Sequence, residues 1–328
     1  MKKLNKIIEE SNKFISLFQT IGLQKSFKTL TNHTSWVFYL LKLKDGRLAS
    51  SSADKTLKIY SKDKFEVQLS ISHHSDYIHY ITQLNNENIL TCSRDNTMVI
   101  IRLIDDNKYN FEHKLMGHSD FVVNAIEIKN NKLISVSFDK TVKIWNLNNN
   151  SNKYECINTI NFQNSKSFCY IFKLNENEFV TSSKYDKCLK FWNSNNYSNI
   201  STLNNIEIIF QGLTFEGRFC KMDDDILCYG GIGFYLIKIS THQLVKKIMN
   251  FQIQSIYKCL DGLFLCLIIK DNCNYLVKYK YKNQNLNQII VKPKAFPSIS
   301  FSNCIELNDG TIVTSHVNFQ DYILLWGN

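Results

Sequence analysis

A phrase of twelve residues recurs four times in the first 200 positions of this 328-residue chain. Each copy has a stretch of small or β-branched residues, a polar turn with an Asp, and a stretch that alternates apolar residues with Lys, which predicts a β-hairpin. The copies are ASSSADKTLKIY at 49–60, LTCSRDNTMVII at 90–101, ISVSFDKTVKIW at 134–145 and TSSKYDKCLKFW at 181–192. Their Asp residues, Asp54, Asp95, Asp139 and Asp186, are 41, 44 and 47 positions apart. That period is typical of one four-stranded propeller blade.

The third copy is the most complete, because Gly117-His118 precedes its first strand and Trp145 follows Asp139 by six residues. At these residues the chain resembles the WD-repeat (WD40) family of β-propellers. The resemblance implies that His118, Asp139, Trp145 and a serine of the middle strand, Ser135 or Ser137, form a buried hydrogen-bonded set with a structural role. The chemistry is consistent, since an imidazole, a hydroxyl and an indole N–H can supply the donors that a buried carboxylate needs.

The other copies of the phrase are partial. Tyr60 and Ile101 stand where the third copy has Trp, whereas the fourth copy keeps Trp192. His33 and His74 supply the His of the first two copies, and the fourth copy has no His at that place.

A second marker, the polar turn that joins the first two strands of each unit, occurs seven times between apolar stretches. The turns are Asp45-Gly46, Asn85-Asn86, Asn130-Asn131, Asn175-Glu176-Asn177, Asp223-Asp224-Asp225, Asp261-Gly262 and Asp309-Gly310. Seven turns predict an all-β fold, a seven-bladed propeller of four-stranded antiparallel blades over residues 24–328. The segment at about 25–30 is expected to be the outer strand of the last blade, which closes the ring and removes a free edge.

Residues 1–23 have a different pattern. Leu4, Ile7, Phe14, Phe18 and other apolar residues recur at helical spacing, which predicts an amphipathic helix or arm. It either packs against the propeller or serves as a docking helix for a partner.

Several function classes are disfavoured by what the sequence lacks. There is no apolar run of 18 residues, so a membrane span is not expected. The G-x-S-x-G, phosphate-loop and H-E-x-x-H signatures are absent, so we expect no enzyme activity, cofactor, metal or small-molecule substrate. The 10 cysteines form no C-x-x-C pair and mostly lie in apolar stretches. Buried thiols favour a reducing compartment, the cytoplasm or alternatively the nucleus.

The resemblance also implies which residues surround the mouth of the propeller's central channel. Aromatic side chains and one Arg dominate this set, and these types are enriched at protein interface hot spots. The candidates for protein binding are Trp36, Phe38, Tyr77, His79, Arg94, Phe121, Phe138 and Tyr185. We therefore expect a non-catalytic scaffold or adaptor that binds a protein or peptide within a multiprotein complex, although the same residues could instead pack between blades.

The net charge of +10 leaves one alternative open. Residues 241–294 hold nine Lys against two Asp, and residues 1–30 hold six Lys against two Glu. These stretches predict a ribonucleoprotein or other nucleic-acid-associated subunit if they form one basic patch. Only four of the basic residues are Arg, the residue best suited to phosphate and base recognition, which makes this the weaker hypothesis.

Overall fold

The computed structural model describes residues 25–148, 150–162, 169–183, 187–206, 219–270, 273–282, 285–288, 300–317 and 323–327. Within these ranges the regular structure is β-strand, apart from one 3₁₀ turn at Lys129–Asn131. The all-β prediction is thereby confirmed. The predicted helix at 1–23 lies outside the described residues.

The strands occur in the order that repeated antiparallel units require. Those of the first half are β1 (Lys25–Leu30), β2 (Val37–Lys42), β3 (Leu48–Ser52), β4 (Leu57–Tyr60), β5 (Val67–Ile71), β6 (Ile78–Gln83), β7 (Ile89–Ser93), β8 (Met98–Leu103), β9 (Tyr109–Leu115), β10 (Val122–Glu127), β11 (Leu133–Ser137), β12 (Thr141–Asn148) and β13 (Lys153–Asn161). Those of the second half are β14 (Cys169–Lys173), β15 (Glu178–Ser183), β16 (Cys188–Asn193), β17 (Asn199–Leu203), β18 (Phe219–Lys221), β19 (Ile226–Lys238), β20 (Gln243–Lys258), β21 (Phe264–Lys270), β22 (Cys273–Lys282), β23 (Asn285–Gln288), β24 (Ser300–Glu306), β25 (Ile312–Val317) and β26 (Ile323–Gly327).

Five of the six sheets in the described part of the chain have four strands each. Four of them are consecutive in sequence: β2–β5, β6–β9, β10–β13 and β14–β17. We call them units 1 to 4. All seven predicted polar turns lie between two paired antiparallel strands.

The last four-stranded sheet has the order β1-β26-β25-β24, so the first described strand pairs with the last. Lys28 lies opposite Leu325, and Leu30 lies opposite Ile323. β24 also contacts β2, the innermost strand of unit 1. Together these contacts join the two ends of the described chain, and the outer edge of the last sheet is supplied by residues 25–30.

The sixth sheet, β18 to β23, has six strands. The main chain of Ile239 donates to the carbonyl of Asp225 at 2.7 Å, although a straight strand of this length would span about 40 Å. The chain therefore turns back within β19, where Gly233 has a φ of 85°. β20 pairs with β19 through Gln243–Ile248 and at Gln252, and with β21 through Gln252–Lys258. The sheet thus holds eight strand segments, the number that two four-stranded units need, and the count of seven blades stays a prediction.

In units 1 to 3 no strand is more buried than the second, and the last strand is the least buried. β3, β7 and β11 are buried along their whole length, whereas β9 has one fully buried residue and β13 has none. The buried apolar side chains pack between neighbouring sheets, as in the cluster where Ile59 and Leu69 of unit 1 meet Ile81 and Val99 of unit 2.

Candidate functional site

Each of the first three units contains a buried polar network that joins a loop to a strand. In unit 3, His118 Nδ1 lies 2.7 Å from Asp139 Oδ2, and His118 Nε2 lies 2.7 Å from Ser135 Oγ. Trp145 donates its indole N–H to the same Ser135 hydroxyl at 2.8 Å. A carboxylate can only accept, so Nδ1 donates to Asp139. Indole, hydroxyl, imidazole and carboxylate form one continuous chain of hydrogen bonds.

Units 1 and 2 repeat this geometry. His33 contacts Asp54 at 2.7 Å, and His74 contacts Asp95 at 2.9 Å. Their second ring nitrogens lie 2.7 Å from Ser50 Oγ and 2.8 Å from Thr91 Oγ1. In unit 1 the phenol of Tyr60 takes the place of the indole, at 3.4 Å from Ser50.

Among the described residues of unit 4, one bond of the network is present. Trp192 donates to Thr181 Oγ1 at 2.9 Å. Asp186 of the repeated phrase lies outside the described residues.

The hydrogen bonds determine the ionisation of the three carboxyls. Burial alone would raise the pKa of Asp54, Asp95 and Asp139, but hydrogen bonds and charge from the histidine of each unit outweigh it. A Thr hydroxyl and a backbone N–H in each unit add to the effect. The pKa of each carboxyl is therefore held well below its usual range, and all three are ionised at neutral pH.

A threonine two residues after each Asp is a further member of this network, which was not predicted from the sequence. The Oγ1 atoms of Thr56, Thr97 and Thr141 each donate to the neighbouring carboxylate at 2.6 Å. The recurring Asp-Lys-Thr or Asp-Asn-Thr triplet was the available signal. A hydroxyl at this spacing forms a local turn with the carboxylate of the Asp.

A second serine in each unit fixes the neighbouring loop. Ser137 Oγ donates to the carbonyl of Asp120 at 2.8 Å and accepts the Asp139 N–H at 3.0 Å. Ser52 and Ser93 make the same pair of bonds in units 1 and 2. Ser135 and Ser137, given as alternatives by the sequence, thus have different roles: the first binds the imidazole and the second holds the loop.

The predicted binding residues lie directly on this framework. One backbone hydrogen bond per unit links the loop before the first strand to the turn after the second strand, at 2.8 to 2.9 Å. The linked pairs are Ala53 with Trp36, Arg94 with Tyr77, and Phe138 with Phe121. The polar networks therefore place these side chains at the same end of three neighbouring sheets.

Five of these side chains are partly exposed, and we call them the aromatic rim: Trp36, Tyr77, Arg94, Phe121 and Phe138. The ring centroids of Phe121 and Phe138 are 5.3 Å apart. Arg94 Cζ lies 4.5 Å from the ring centroid of Phe121 and 5.2 Å from that of Tyr77. Tyr77, Arg94, Phe121 and Phe138 thus form a continuous surface over units 2 and 3, and Trp36 of unit 1 is linked to Tyr77 through Phe38 beneath them.

Two predicted binding residues lie beneath the rim instead of on it. Phe38 is 2% exposed and His79 is 3% exposed, with their ring centroids 4.8 Å apart. Phe38 also packs against Trp36 and Tyr77. Because they are buried, these two side chains contact the rim residues and would affect a bound partner only through them. Tyr185, the remaining candidate, lies outside the described residues.

The environment of His79 keeps its ring neutral. Burial, with a smaller contribution from the positive charge of Arg94, lowers the pKa of His79 to about 4, and the nearby Asp76 opposes this only weakly. A neutral ring under an aromatic surface avoids the cost of a buried charge.

The lysines of the 241–294 stretch are engaged in several separate contacts. Lys278 Nζ lies 3.4 Å from Asp261 and 3.8 Å from Glu306. The amines of Lys247 and Lys258 lie over the rings of Tyr235 and Phe264. Residues 289–294 and 1–24 lie outside the described part of the chain, so a patch joining the two basic stretches remains a prediction.

The described residues hold neither a membrane-spanning helix nor a cluster of metal ligands. None of the helices is long and apolar enough to cross a membrane. No group of three or more His, Cys, Asp and Glu side chains is placed to hold a metal ion.

Comparison with known proteins supports the fold. Residues 24–61 and 109–146 match the family model described as "WD domain, G-beta repeat". The solved structure titled "Crystal structure of WD40 beta propeller domain of Doa1" aligns with a TM-score of 0.68 at 19% identity, covering 93% of this chain and 98% of that one. The fold is a WD40 β-propeller. The structure titled "Structure of U3-55K" aligns with a TM-score of 0.69 at 14% identity, covering 92% of this chain and 98% of that one.

The resemblance of the sequence to WD-repeat proteins is thereby confirmed. No curated protein sequence matched the chain. At these identities the solved structures show the shared fold alone.

Proposed function

We propose that this WD40 propeller is a non-catalytic scaffold that binds a protein or peptide at the aromatic rim. The observation that supports it most is the continuity of the rim, in which four aromatic side chains and one Arg from three units are in contact or share a neighbour. Aromatic and Arg side chains contribute a disproportionate share of binding energy at protein interfaces.

The rigidity of the rim supports the same function. Each of the three units fixes its rim residues through a backbone hydrogen bond and a buried His–Asp pair. A partner that binds such a surface loses little free energy to ordering the protein, because the loops are already held.

The test is affinity capture from a cell extract of the source organism, with a wild-type protein and a Trp36→Ala/Phe121→Ala double variant. Both side chains are only partly buried, so the double variant should keep a melting temperature close to that of the wild type while losing its main partners. Phe111→Ala is the matched control, since Phe111 is 47% exposed on the outer strand β9. Its partners should be those of the wild type.

Nuclease treatment and high salt separate this proposal from the nucleic-acid alternative. Partners that survive both treatments and depend on the rim support a protein scaffold. Loss of most partners under either treatment, with the double variant behaving as the wild type, would contradict the proposal and favour the Lys-rich stretches, because phosphate contacts weaken steeply with salt.

A further inference from the structure

Arg94 is the cationic member of the aromatic rim, and its surroundings indicate what it binds. We infer that Arg94 selects peptides that present an oxyanion, a carboxylate or a phosphate, between apolar side chains seated on the rim. The inference rests on the proposed function and names the chemistry of the partner.

The guanidinium is held in place from both sides of the junction between units 2 and 3. The Arg94 N–H donates to the carbonyl of Tyr77 at 2.8 Å, which fixes the backbone. Its Cζ then lies 5.2 Å from the ring of Tyr77 and 4.5 Å from the ring of Phe121. The two rings interact with the positive charge of the guanidinium and do not occupy its N–H donors. Those donors point outward in the plane of the group.

The one ion pair of Arg94 found among the described residues is weak. Arg94 Nε lies 3.7 Å from Asp76 Oδ2, beyond hydrogen-bonding distance. The second oxygen of Asp76 accepts the Tyr77 N–H at 2.8 Å, which commits this carboxylate to the loop. Since the pair involves only Nε, it leaves the two terminal nitrogens of Arg94 for a ligand.

The exposure of Arg94 also supports a role in binding an oxyanion. The Arg94 side chain is 39% exposed, so an incoming group can reach it, while the rings beneath it limit its motion. A planar fork with five donors binds a carboxylate or phosphate through two parallel hydrogen bonds, and these are about twice as strong as bonds between neutral groups. Lys cannot reproduce this arrangement, because its ammonium is a single compact charge.

Asp76 provides a basis for choosing between the two oxyanions. Its carboxylate is 37% exposed beside the guanidinium, so a phosphate dianion meets more repulsion there than a singly charged carboxylate does. We therefore expect a preference for carboxylates.

The test uses four pools of ten-residue peptides with randomised flanks and a fixed central residue: Glu, phosphoserine, Gln or Lys. Binding of each pool is measured by fluorescence polarisation. The wild type should bind the Glu pool about tenfold more tightly than the Gln pool. Arg94→Gln should abolish that ratio, and Arg94→Lys should restore only part of it. Arg102→Gln is the matched control, because Arg102 lies on the outward side of the same unit, paired with Glu112 at 2.8 Å.

The outcomes separate the two proposals. If the wild type binds the Glu and Gln pools equally well, and the double variant Trp36→Ala/Phe121→Ala binds neither, the selection by Arg94 is refuted while peptide binding at the rim stands. If no pool binds, both are contradicted. A preference for phosphoserine over Glu would support the oxyanion and overturn the expected order of the two.

Discussion

Units 1 to 3 and the sheet formed by β18–β23 hold their strands together by different chemistry. In each of the first three units, a histidine, a carboxylate and a hydroxyl are buried together and tie two loops to the strands. In the later sheet, the described residues form a large buried cluster of apolar and thiol side chains. The cluster there includes Cys228, Cys266, Phe234, Ile253 and Phe264.

The thiols of the later sheet behave as apolar groups. Burial raises the pKa of Cys228 and Cys266 well above the usual value. They are therefore protonated across the physiological range, and they contribute packing instead of directed hydrogen bonds.

The comparison shows how the same architecture can be specified in two ways. Apolar packing determines which faces of the strands are buried, but it does not determine the conformation of the loops. A hydrogen-bonded network has specific partners and distances, so three units acquire nearly identical loops. The rim residues lie on the units that have the networks, which explains how side chains from different units come into register.

The largest expected effect concerns the sheet that joins the two regions. Deleting residues 1–30 removes β1, which pairs with β26 and buries Leu30 at 4% exposure. We expect a loss of at least about 3 kcal/mol in the free energy of unfolding, from one buried Leu and a row of strand hydrogen bonds. Urea unfolding followed by fluorescence measures it.

Deletion of residues 1–24 is the control for this prediction, since it keeps β1. The shorter deletion should leave the midpoint of unfolding much closer to that of the intact chain. Equal midpoints for the two deletions would show that the strand does not close the fold.

A second prediction breaks a network directly. Asp139→Ala leaves His118, Thr141 and the Ser119 N–H without their shared acceptor. Buried groups that lose a partner cost about 2–3 kcal/mol in total stability. Asp224→Ala, in the turn before β19 of the later sheet, removes an exposed carboxylate and should leave the free energy of unfolding nearly unchanged. Similar losses in both variants would contradict the distinction between the regions.

A third prediction concerns pH. The pKa of His79 is about 4 in the folded chain and 6.5 for the free side chain. Between pH 4 and pH 6.5 the unfolded chain binds more protons than the folded chain does. The contribution of His79 to the free energy of unfolding is therefore fully present above pH 6.5 and is lost as the pH falls. Between pH 7 and pH 5 the loss is about 2 kcal/mol.

The variant His79→Phe should reduce the slope of the free energy of unfolding against pH between pH 7 and pH 5, whatever its effect on stability at pH 7. The three network carboxyls have lowered pKa values, so their contribution is lost only at more acidic pH, as the pH falls through about 4 and below. An unchanged slope in His79→Phe would place the titrating group elsewhere.

The smallest expected effect compares two members of the networks. Trp145→Phe removes the indole donor at 2.8 Å from Ser135, which should cost about 1 kcal/mol. Tyr60→Phe removes a contact at 3.4 Å and should cost less. A larger loss for Tyr60→Phe, measured by thermal unfolding, would show that the two rings are not equivalent.

Much of the fold could be predicted because local signals repeat. The Asp-centred phrase and the seven polar turns are sequence-local, and each turn lies between paired strands. The roles of Ser135 and Ser137 could not be separated, because positions i and i+2 of a strand lie on the same face and both side chains are buried; the loop packed against the strand decides which one meets His118.

The later sheet was harder to predict for a physical reason. Residues 229–233 lie within the long strand β19, where the chain turns back at Gly233. A Cβ at Gly230 would lie 2.4 Å from Ile253 Cγ2, so the glycine permits close packing against β20. A packing constraint between distant residues leaves no periodic trace in the sequence.

Site-specific photo-cross-linking tests the central claim, that the rim of units 1 to 3 binds a protein. A benzoyl-phenylalanine at position 138, on the rim, is compared with one at position 111, on the exposed outer strand β9. The account predicts a cross-linked protein from position 138 that is absent from position 111 and disappears when Trp36→Ala and Phe121→Ala are added. The same product from both positions, or one that survives those substitutions, would contradict it.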